Sequence, residues 1–209
     1  MEYLISIITP TYNCAQFIGE TIKSVINQTY TNWEMIIVDD ASNDNTEEVV
    51  KSIKDERIKY IRLKENSGAA TARNIAMENA SGKFMAFLDS DDIWIKDKLE
   101  KQVKFMIDNN YNFTCTAYEK MNEKGDSLNK VFKPKKKADY NRILLDCPVG
   151  NSTVMYNVSN LGKFQVPNIR KRNDDALWLQ ILKKEKFIYG MPDILMKYRI
   201  RNNSISSNK

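Results

Sequence analysis

Short apolar segments and helical segments alternate along the first 110 residues, and this alternation restricts the fold more than any other feature. The apolar segments have strand length and cover residues 3–8, 33–38, 58–63 and 83–88. Apolar side chains recur at helical spacing between them and again at residues 96–107. Strands that alternate with helices predict a mostly parallel sheet with helices on both faces, the Rossmann-like α/β arrangement.

The second half of the chain has a less regular pattern. Residues 112–118 favour a strand, residues 119–137 are polar and lysine-rich and predict a loop or hairpin, and residues 176–183 favour a helix.

In the first half of the chain, Pro10 is expected to stop the first predicted strand.

The absence of histidine from all 209 residues excludes whole classes of mechanism. No imidazole can serve as base, nucleophile or metal ligand, which removes Ser-His-Asp hydrolases, Cys-His proteases and zinc hydrolases with histidine ligands. Three widely separated cysteines without metal-ligand spacing suit reduced, buried thiols in the cytosol.

Charge is distributed unevenly between the two halves. Residues 1–110 carry 13 basic and 18 acidic side chains, and residues 111–209 carry 19 basic and 9 acidic ones. An acidic first half fits a cation site, while a basic second half can meet an anionic acceptor or membrane surface, or only form a solvated face. No run reaches the roughly 18 apolar residues of a membrane span, and residues 1–10 are too short and acidic for a signal peptide. We expect a soluble cytoplasmic protein, able to contact the inner membrane face.

Carboxylates follow the strand that precedes residue 89. Asp89 and Asp91 are one residue apart in a strand-end turn, so one can accept from a ribose hydroxyl while the other binds a divalent metal. Mg²⁺ takes one or two carboxylates together with phosphate oxygens and waters. A solvated turn is the alternative interpretation, and the position after the fourth alternating strand favours the functional one.

Other polar residues follow the remaining strands. Asp40 can accept the imide N–H of uracil or an N–H of guanine, although it can equally cap the next helix. Tyr12 can stack on a base or simply occupy a turn. Gly68 allows close approach of the backbone to a ligand at a helix start, and Arg73 lies one turn further along or on the surface.

Near the end of the chain, a carboxylate lies beside cations at a predicted helix start. Asp174 follows the basic residues Arg170–Arg172, and such surroundings keep a carboxylate ionised, as a general base requires. It can also be only a helix cap. Arg199 and Arg201 can supply a cation to a departing diphosphate or contribute surface charge.

Five motifs in this order resemble family-2 glycosyltransferases of the GT-A fold, across nearly the whole chain. They are residues 6–13 (SIITPTYN), 24–30 (SVINQTY), 37–42 (IVDDAS), 66–74 (NSGAATARN) and 87–92 (FLDSDD). Each is modest alone, and together they are specific. The resemblance is to the type that builds bacterial surface polysaccharides.

The resemblance implies a role for each matching residue. Pro10 and Tyr12 would border the nucleobase, and Asp40 would form a hydrogen bond with its edge. Gly68 and Arg73 would belong to the nucleotide-sugar site, where Asp89 would contact the ribose or sugar. Asp91 would ligate Mn²⁺ or Mg²⁺, and Asp174 would be the base. Residues 1–110 would then be the nucleotide-sugar-binding half and residues 111–209 the acceptor-binding half of one domain. The family usually has an acid before the base, where this chain has Asn173, so Asp175 is the alternative base.

The implied reaction is a single inverting transfer from a nucleotide sugar, with UDP expected over GDP or dTDP, to a glycan, lipid-linked or glycoprotein acceptor. The Gln-x-x-Arg-Trp motif and membrane helices of processive synthases are absent, which favours transfer of one sugar. Two alternatives remain, a non-catalytic nucleotide-binding module and a haloacid-dehalogenase-type phosphatase. The second half lacks a recognised nucleic-acid motif, so no nucleic-acid partner is expected.

Overall fold

The computed structural model describes residues 3–169 and 171–201, and it has a central sheet with helices on both faces. Its first half contains β1 (Ile5–Thr11), α1 (Ala15–Ile26), β2 (Trp33–Asp39), α2 (Thr46–Ser52), β3 (Ile58–Arg62), α3 (Ala69–Glu78), β4 (Phe84–Phe87), β5 (Ile93–Trp94) and α4 (Lys98–Asp108). Its second half contains β6 (Phe113–Met121), β7 (Ser127–Phe132), β8 (Lys137–Ala138), α5 (Tyr140–Leu145), a 3₁₀ turn (Asn151–Thr153), β9 (Met155–Asn157), α6 (Val158–Leu161), α7 (Asn173–Ile181) and β10 (Ile188–Arg199).

The sheet confirms the predicted α/β class. Its strand order is β3-β2-β1-β4-β9-β6-β10-β5, with β7 on β6 and β8 on β10. The pairs among β1 to β4 are all parallel, and so is the long β6–β10 pair. Shorter antiparallel pairs involving β9, β5, β7 and β8 join or extend these blocks. The sheet therefore continues past residue 110, and the division into two functional halves stays a prediction.

Side-chain alternation along the strands produces a core on each face of the sheet. Ile8 and Ile36 point to one face, where α3 and α7 pack, whereas Ile7 and Ile37 point to the other, where α1 and α4 pack. Both cores are mainly apolar because a sheet covered on two sides has no solvated face. This arrangement places every loop that follows β1, β2 and β4 at one edge of the sheet.

Pro10 does not end the first strand, contrary to the prediction. β1 continues to Thr11, with Pro10 opposite Val38 of β2. On its other side β1 pairs with β4 only as far as Ile8. Proline is tolerated here because β4 has already ended, so the missing N–H leaves no neighbouring strand without a donor.

The structure shows which elements the less regular second half of the chain forms. β6 and β7 form a hairpin, one of the two alternatives predicted for residues 119–137, and α7 begins at Asn173, three residues before the predicted start. Arg170 and the polar tail at residues 202–209 lie outside the described residues. Among the residues that are described, none of the helices combines the length and apolar character needed to cross a bilayer.

Candidate active site

The candidate site lies at the edge of the sheet where β1, β2 and β4 end. Ligands of open α/β sheets bind in the crevice beyond these carboxyl ends. Tyr12, Asp40 and Asp89 each follow one of these strands by one or two residues. The parallel register therefore brings together three segments that are distant in sequence, as the sequence predicted.

The two aspartates at the end of β2 have different partners. Asp39 is buried and accepts from the backbone N–H and the hydroxyl of Ser42, and from the Tyr60 hydroxyl. Burial and the bond to Asp39 raise the pKa of Tyr60, so this phenol stays protonated. Asp39 thus holds the turn after β2. Its neighbour Asp40 faces the loop before α3.

Asp40 organises the loop before α3. Its two carboxylate oxygens accept from the backbone N–H groups of Ser67 (2.7 Å) and Gly68 (2.8 Å). Gly68 has φ +91, and an added Cβ would meet nothing within 4 Å. Glycine is therefore needed here for its backbone conformation rather than for space. The capping alternative for the next helix does not apply to Asp40, because α2 begins after Asn45.

Pro10 and Tyr12 border the mouth of the crevice at the end of β1. Pro10 is buried in the strand, whereas Tyr12 is 44% exposed. The next residue, Asn13, has φ 47, and its N–H donates to the Ser42 hydroxyl. This tight turn leaves the Tyr12 ring accessible to a planar ligand.

Asp89 is held by partners from two other elements, α3 and the 3₁₀ turn. Its Oδ1 accepts from the Asn151 amide at 2.7 Å and pairs with the Arg73 guanidinium at 3.3 Å. Its backbone N–H donates to the Ser152 hydroxyl. Removal from water raises the pKa of Asp89 to about 6, Arg73 opposes this, and the charges of Asp91 and Asp174 add to it.

Arg73 is buried, so the surface interpretation of this residue is wrong. It is 5% exposed and also donates to the side-chain oxygen of Asn173 at 2.6 Å. One guanidinium thus connects Asp89 with the first residue of α7. The amide at Asn173 suits this contact, since it accepts the bond without adding another negative charge to the crevice.

Asp91 and Asp92 occupy the rest of the turn. Asp91 Oδ2 lies 2.7 Å from Arg201 Nε, an ion pair without the alignment of a hydrogen bond. Asp92 is buried and accepts from the Ser152 hydroxyl and the Arg199 N–H. Burial raises the pKa of both carboxyls, and for Asp92 the neighbouring aspartates add to the rise. When ionised, these neighbouring carboxyls repel one another, and a cation beside them would relieve that repulsion.

Aromatic packing positions Asp174 relative to this turn. Trp178 is fully buried, with its ring 5.0 Å from that of Phe87 in an edge-to-face contact. Phe87 lies two residues before Asp89, and Trp178 lies one helical turn after Asp174. The contact brings the start of α7 to the end of β4, close enough for the charge of Asp174 to raise the pKa of Asp89.

Asp175, the alternative base, has a different environment. It accepts a hydrogen bond from the Cys147 thiol, and burial together with this carboxylate raises the pKa of that thiol. Cys147 lies after α5, which packs against α7. Asp175 therefore lies near the segment that follows α5.

Several residues of the crevice were not expected from the sequence. Asn151 and Ser152 belong to the 3₁₀ turn before β9, and they contact Asp89 and Asp92 across about 60 positions of sequence. Their only signal is the polar triplet at residues 151–153 beside an apolar strand. Such a triplet is common in ordinary turns, so the pattern alone does not distinguish it.

A mostly parallel sheet with helices on both faces and an acidic crevice beyond β1, β2 and β4 is typical of GT-A glycosyltransferases. The glycosyl transferase family 2 model matches residues 6–164, and the chain belongs to this family.

Relatives that match nearly the whole of this chain also belong among glycosyltransferases. The chain is 48% identical to TuaG of Bacillus subtilis, whose name places it in teichuronic acid biosynthesis, over 99% of this chain and 82% of TuaG. It is 44% identical to the UDP-Glc:alpha-D-GlcNAc-diphosphoundecaprenol beta-1,3-glucosyltransferase WfgD of Escherichia coli, over 100% of this chain and 81% of WfgD.

Solved structures support the fold. TarS residues 1–349 from S. aureus in complex with UDP-GlcNAc matches with a TM-score of 0.82 over 98% of this chain, at 21% identity. The chain spans 61% of that structure. A mannosyltransferase from Pyrobaculum calidifontis in complex with GDP-Man and Mn²⁺ matches with a TM-score of 0.71 at 19% identity.

Proposed function

We propose that this glycosyltransferase moves a single sugar from a UDP-sugar to a lipid-linked or polysaccharide acceptor, with inversion and with Mn²⁺ or Mg²⁺. The observation that carries the proposal is the contact between Trp178 and Phe87, because it brings a carboxylate on α7 to the Asp89-x-Asp91 turn. A base on one side of a crevice and a donor-binding turn on the other are what a direct displacement needs.

The donor side is assigned from the accessible groups around the strand ends. Tyr12 would stack on the base, with Pro10 beneath it, and the lone pairs of Asp40 left free by the loop N–H groups would bond its edge. Gly68 and Arg73 would line the nucleotide-sugar site, and Asp89 would accept from a ribose or sugar hydroxyl. The TarS complexes with UDP and UDP-GlcNAc support a uridine donor.

The metal assignment fits a site of few protein ligands. Among the described residues no group of three or more His, Cys, Asp or Glu side chains is arranged to hold an ion. Asp91 offers a hard oxygen in a crevice with excess negative charge, which suits an ion that takes one or two carboxylates and completes its shell with diphosphate oxygens and waters. Asp91 would hold the ion, and a bound divalent ion would supply charge stabilisation for the departing diphosphate.

Asp174 is proposed to take the proton of the acceptor hydroxyl. The hydroxyl oxygen forms a bond to the anomeric carbon as the bond from that carbon to the diphosphate oxygen breaks, and the electron pair leaves with the nucleoside diphosphate. Attack from the face opposite the leaving group inverts the anomeric centre. Arg73 would hold α7 in register with the donor through its bond to Asn173.

A transfer assay tests the proposed function. UDP-glucose and UDP-GlcNAc are incubated with Mn²⁺ and a synthetic GlcNAc-diphospho-lipid, an acceptor suggested by the name of WfgD. We expect a glycolipid product whose new linkage has the β configuration by NMR when the donor is α-linked. An α linkage would contradict inversion. Nucleotide binding without turnover on any acceptor would favour a binding module, and phosphate release from simple phosphoesters would favour a phosphatase.

We also propose that the acceptor side contacts an anionic membrane. Four exposed lysines (Lys133, Lys135, Lys136 and Lys137) precede α5, and the exposed side chains of Leu144 and Leu145 lie at its end. These leucines belong to α5, which packs against the helix that carries Asp174. Basic residues near anionic lipid contribute about 1 kcal/mol each, and inserted apolar side chains add to this.

Co-sedimentation with phosphatidylglycerol vesicles tests this contact. We expect the double variant Leu144→Ser/Leu145→Ser to lower vesicle binding at least about fivefold, since each leucine loses about 1.5–3 kcal/mol of transfer free energy if fully inserted. Ile107→Ser is the matched control, because Ile107 is an exposed apolar residue on α4, on the other face of the sheet. Equal loss in the control, or no loss in the double variant, would contradict the assignment.

A further inference from the structure

Arg199 is the last residue of β10, and Arg201 lies two residues further along the chain. The two arginines have different surroundings. Arg199 is buried, and its guanidinium donates to the carbonyl oxygens of Asp91 and Glu123 and to the Glu20 carboxylate. These contacts fix Arg199 in place, and its own N–H holds Asp92. Arg199 is therefore a structural residue of the crevice wall.

Arg201 lies two residues beyond the last residue of β10 and faces the crevice. Its side chain is 27% exposed, with Nε 2.7 Å from Asp91 Oδ2 and the guanidinium 5.5 Å from the centre of the Phe17 ring. Asp91 is more enclosed, with 16% of its side chain exposed. An enclosed carboxylate needs a counter-charge, and Arg201 provides it in this structure.

We propose that Arg201 exchanges with the divalent cation: it neutralises Asp91 when the donor is absent and moves to the donor diphosphate when the cation takes its place. This inference rests on the proposed function, because it assigns Asp91 to the metal. The metal and the Arg201 guanidinium compete for the single negative charge of the Asp91 carboxylate, so metal binding weakens this ion pair. A guanidinium released there is within reach of an anion in the same crevice, and it pairs well with phosphate.

The exchange couples the two ligands. Metal alone weakens the ion pair between Arg201 and Asp91 without compensation, whereas metal with nucleotide offers the guanidinium a new partner. Cation and nucleotide therefore favour each other's binding, and by linkage the two effects are equal in free energy. Without Arg201, the nucleotide should increase metal affinity less, and the metal should increase nucleotide affinity less.

The test measures Mn²⁺ binding by the EPR signal of the free ion, first without nucleotide and then with UDP. We expect Arg201→Ala to bind Mn²⁺ alone more tightly, within the range of about 5- to 150-fold that is typical of coupled sites. The same variant should bind UDP more weakly at saturating Mn²⁺, and Arg201→Lys should lie closer to the wild type. Arg57→Ala is the matched control, because Arg57 is an ion-paired arginine at the amino end of β3, away from the crevice.

The outcomes separate this inference from the proposed function. Unchanged or weaker Mn²⁺ binding by Arg201→Ala, or unchanged UDP binding, would overturn the exchange. If Asp91→Ala loses Mn²⁺ binding while Arg201→Ala matches the wild type, the metal assignment stands and the exchange is wrong. If Asp91→Ala binds Mn²⁺ normally, the metal assignment in the proposed function is wrong and the exchange fails with it.

Discussion

Asp174→Asn is expected to lower the rate of sugar transfer by roughly two to four orders of magnitude, the usual contribution of a general base. The amide has nearly the shape of the carboxylate but cannot take a proton from the acceptor hydroxyl. Donor binding should be retained, because Asp174 lies on α7 and Asp40, Tyr12 and Asp91 belong to the strand-end loops. The measurement is kcat with saturating donor, together with the Kd of UDP.

Asp175→Asn is the matched control for this variant. Asp175 is the next residue in α7, and its carboxylate accepts from the Cys147 thiol. Its substitution should change kcat by less than about tenfold, because an amide oxygen can still accept that bond. If Asp175→Asn is the inactive variant and Asp174→Asn is active, the base has been assigned to the wrong carboxylate.

Asp91→Ala is expected to abolish metal-dependent donor binding. The substitution removes the one carboxylate that the proposal assigns to the cation, and the diphosphate then lacks the charge that holds it in an acidic crevice. Transfer activity should fall with donor binding. Calorimetric titration of UDP with Mn²⁺ and with EDTA measures the effect, and the variant should give the same weak response in both.

Asp97→Ala provides the control for Asp91→Ala. Like Asp91, Asp97 pairs with a basic residue, here Lys101, but Asp97 precedes α4 and this ion pair lies on the surface. Surface pairs of this kind contribute about 0–1 kcal/mol to stability, so UDP binding should remain as in the wild type. Normal metal-dependent binding by Asp91→Ala would remove this residue from the metal site.

The sequence was most informative where local pattern and topology agree. Alternating strand and helix signals predicted the parallel block, and in a parallel block the carboxyl ends of neighbouring strands meet at one edge. Asp40 and Asp89 could therefore be placed in one crevice although 49 positions separate them. The same reasoning extended to Asp174 only through the family resemblance, because no local pattern shows that Trp178 packs on Phe87.

The sequence was least informative about long-range polar contacts. Arg73 has the same local signal as a surface arginine, yet it bonds Asn173 across 100 positions. Arg201 and Asp91 meet because β10 ends beside the turn after β4, which depends on the mixed pairing of the second half. Proline at position 10 was misjudged for a similar reason, since its tolerance depends on where β4 ends rather than on the proline itself.

The most direct test of the account is a calorimetric titration of UDP, GDP and dTDP into the wild-type protein, each with Mn²⁺ and with EDTA. The account predicts micromolar binding of UDP that requires the metal, with weaker binding of the other two nucleotides. Binding of none of them, or UDP binding of equal affinity in EDTA, would contradict a metal-dependent UDP-sugar site at the Asp89-x-Asp91 turn.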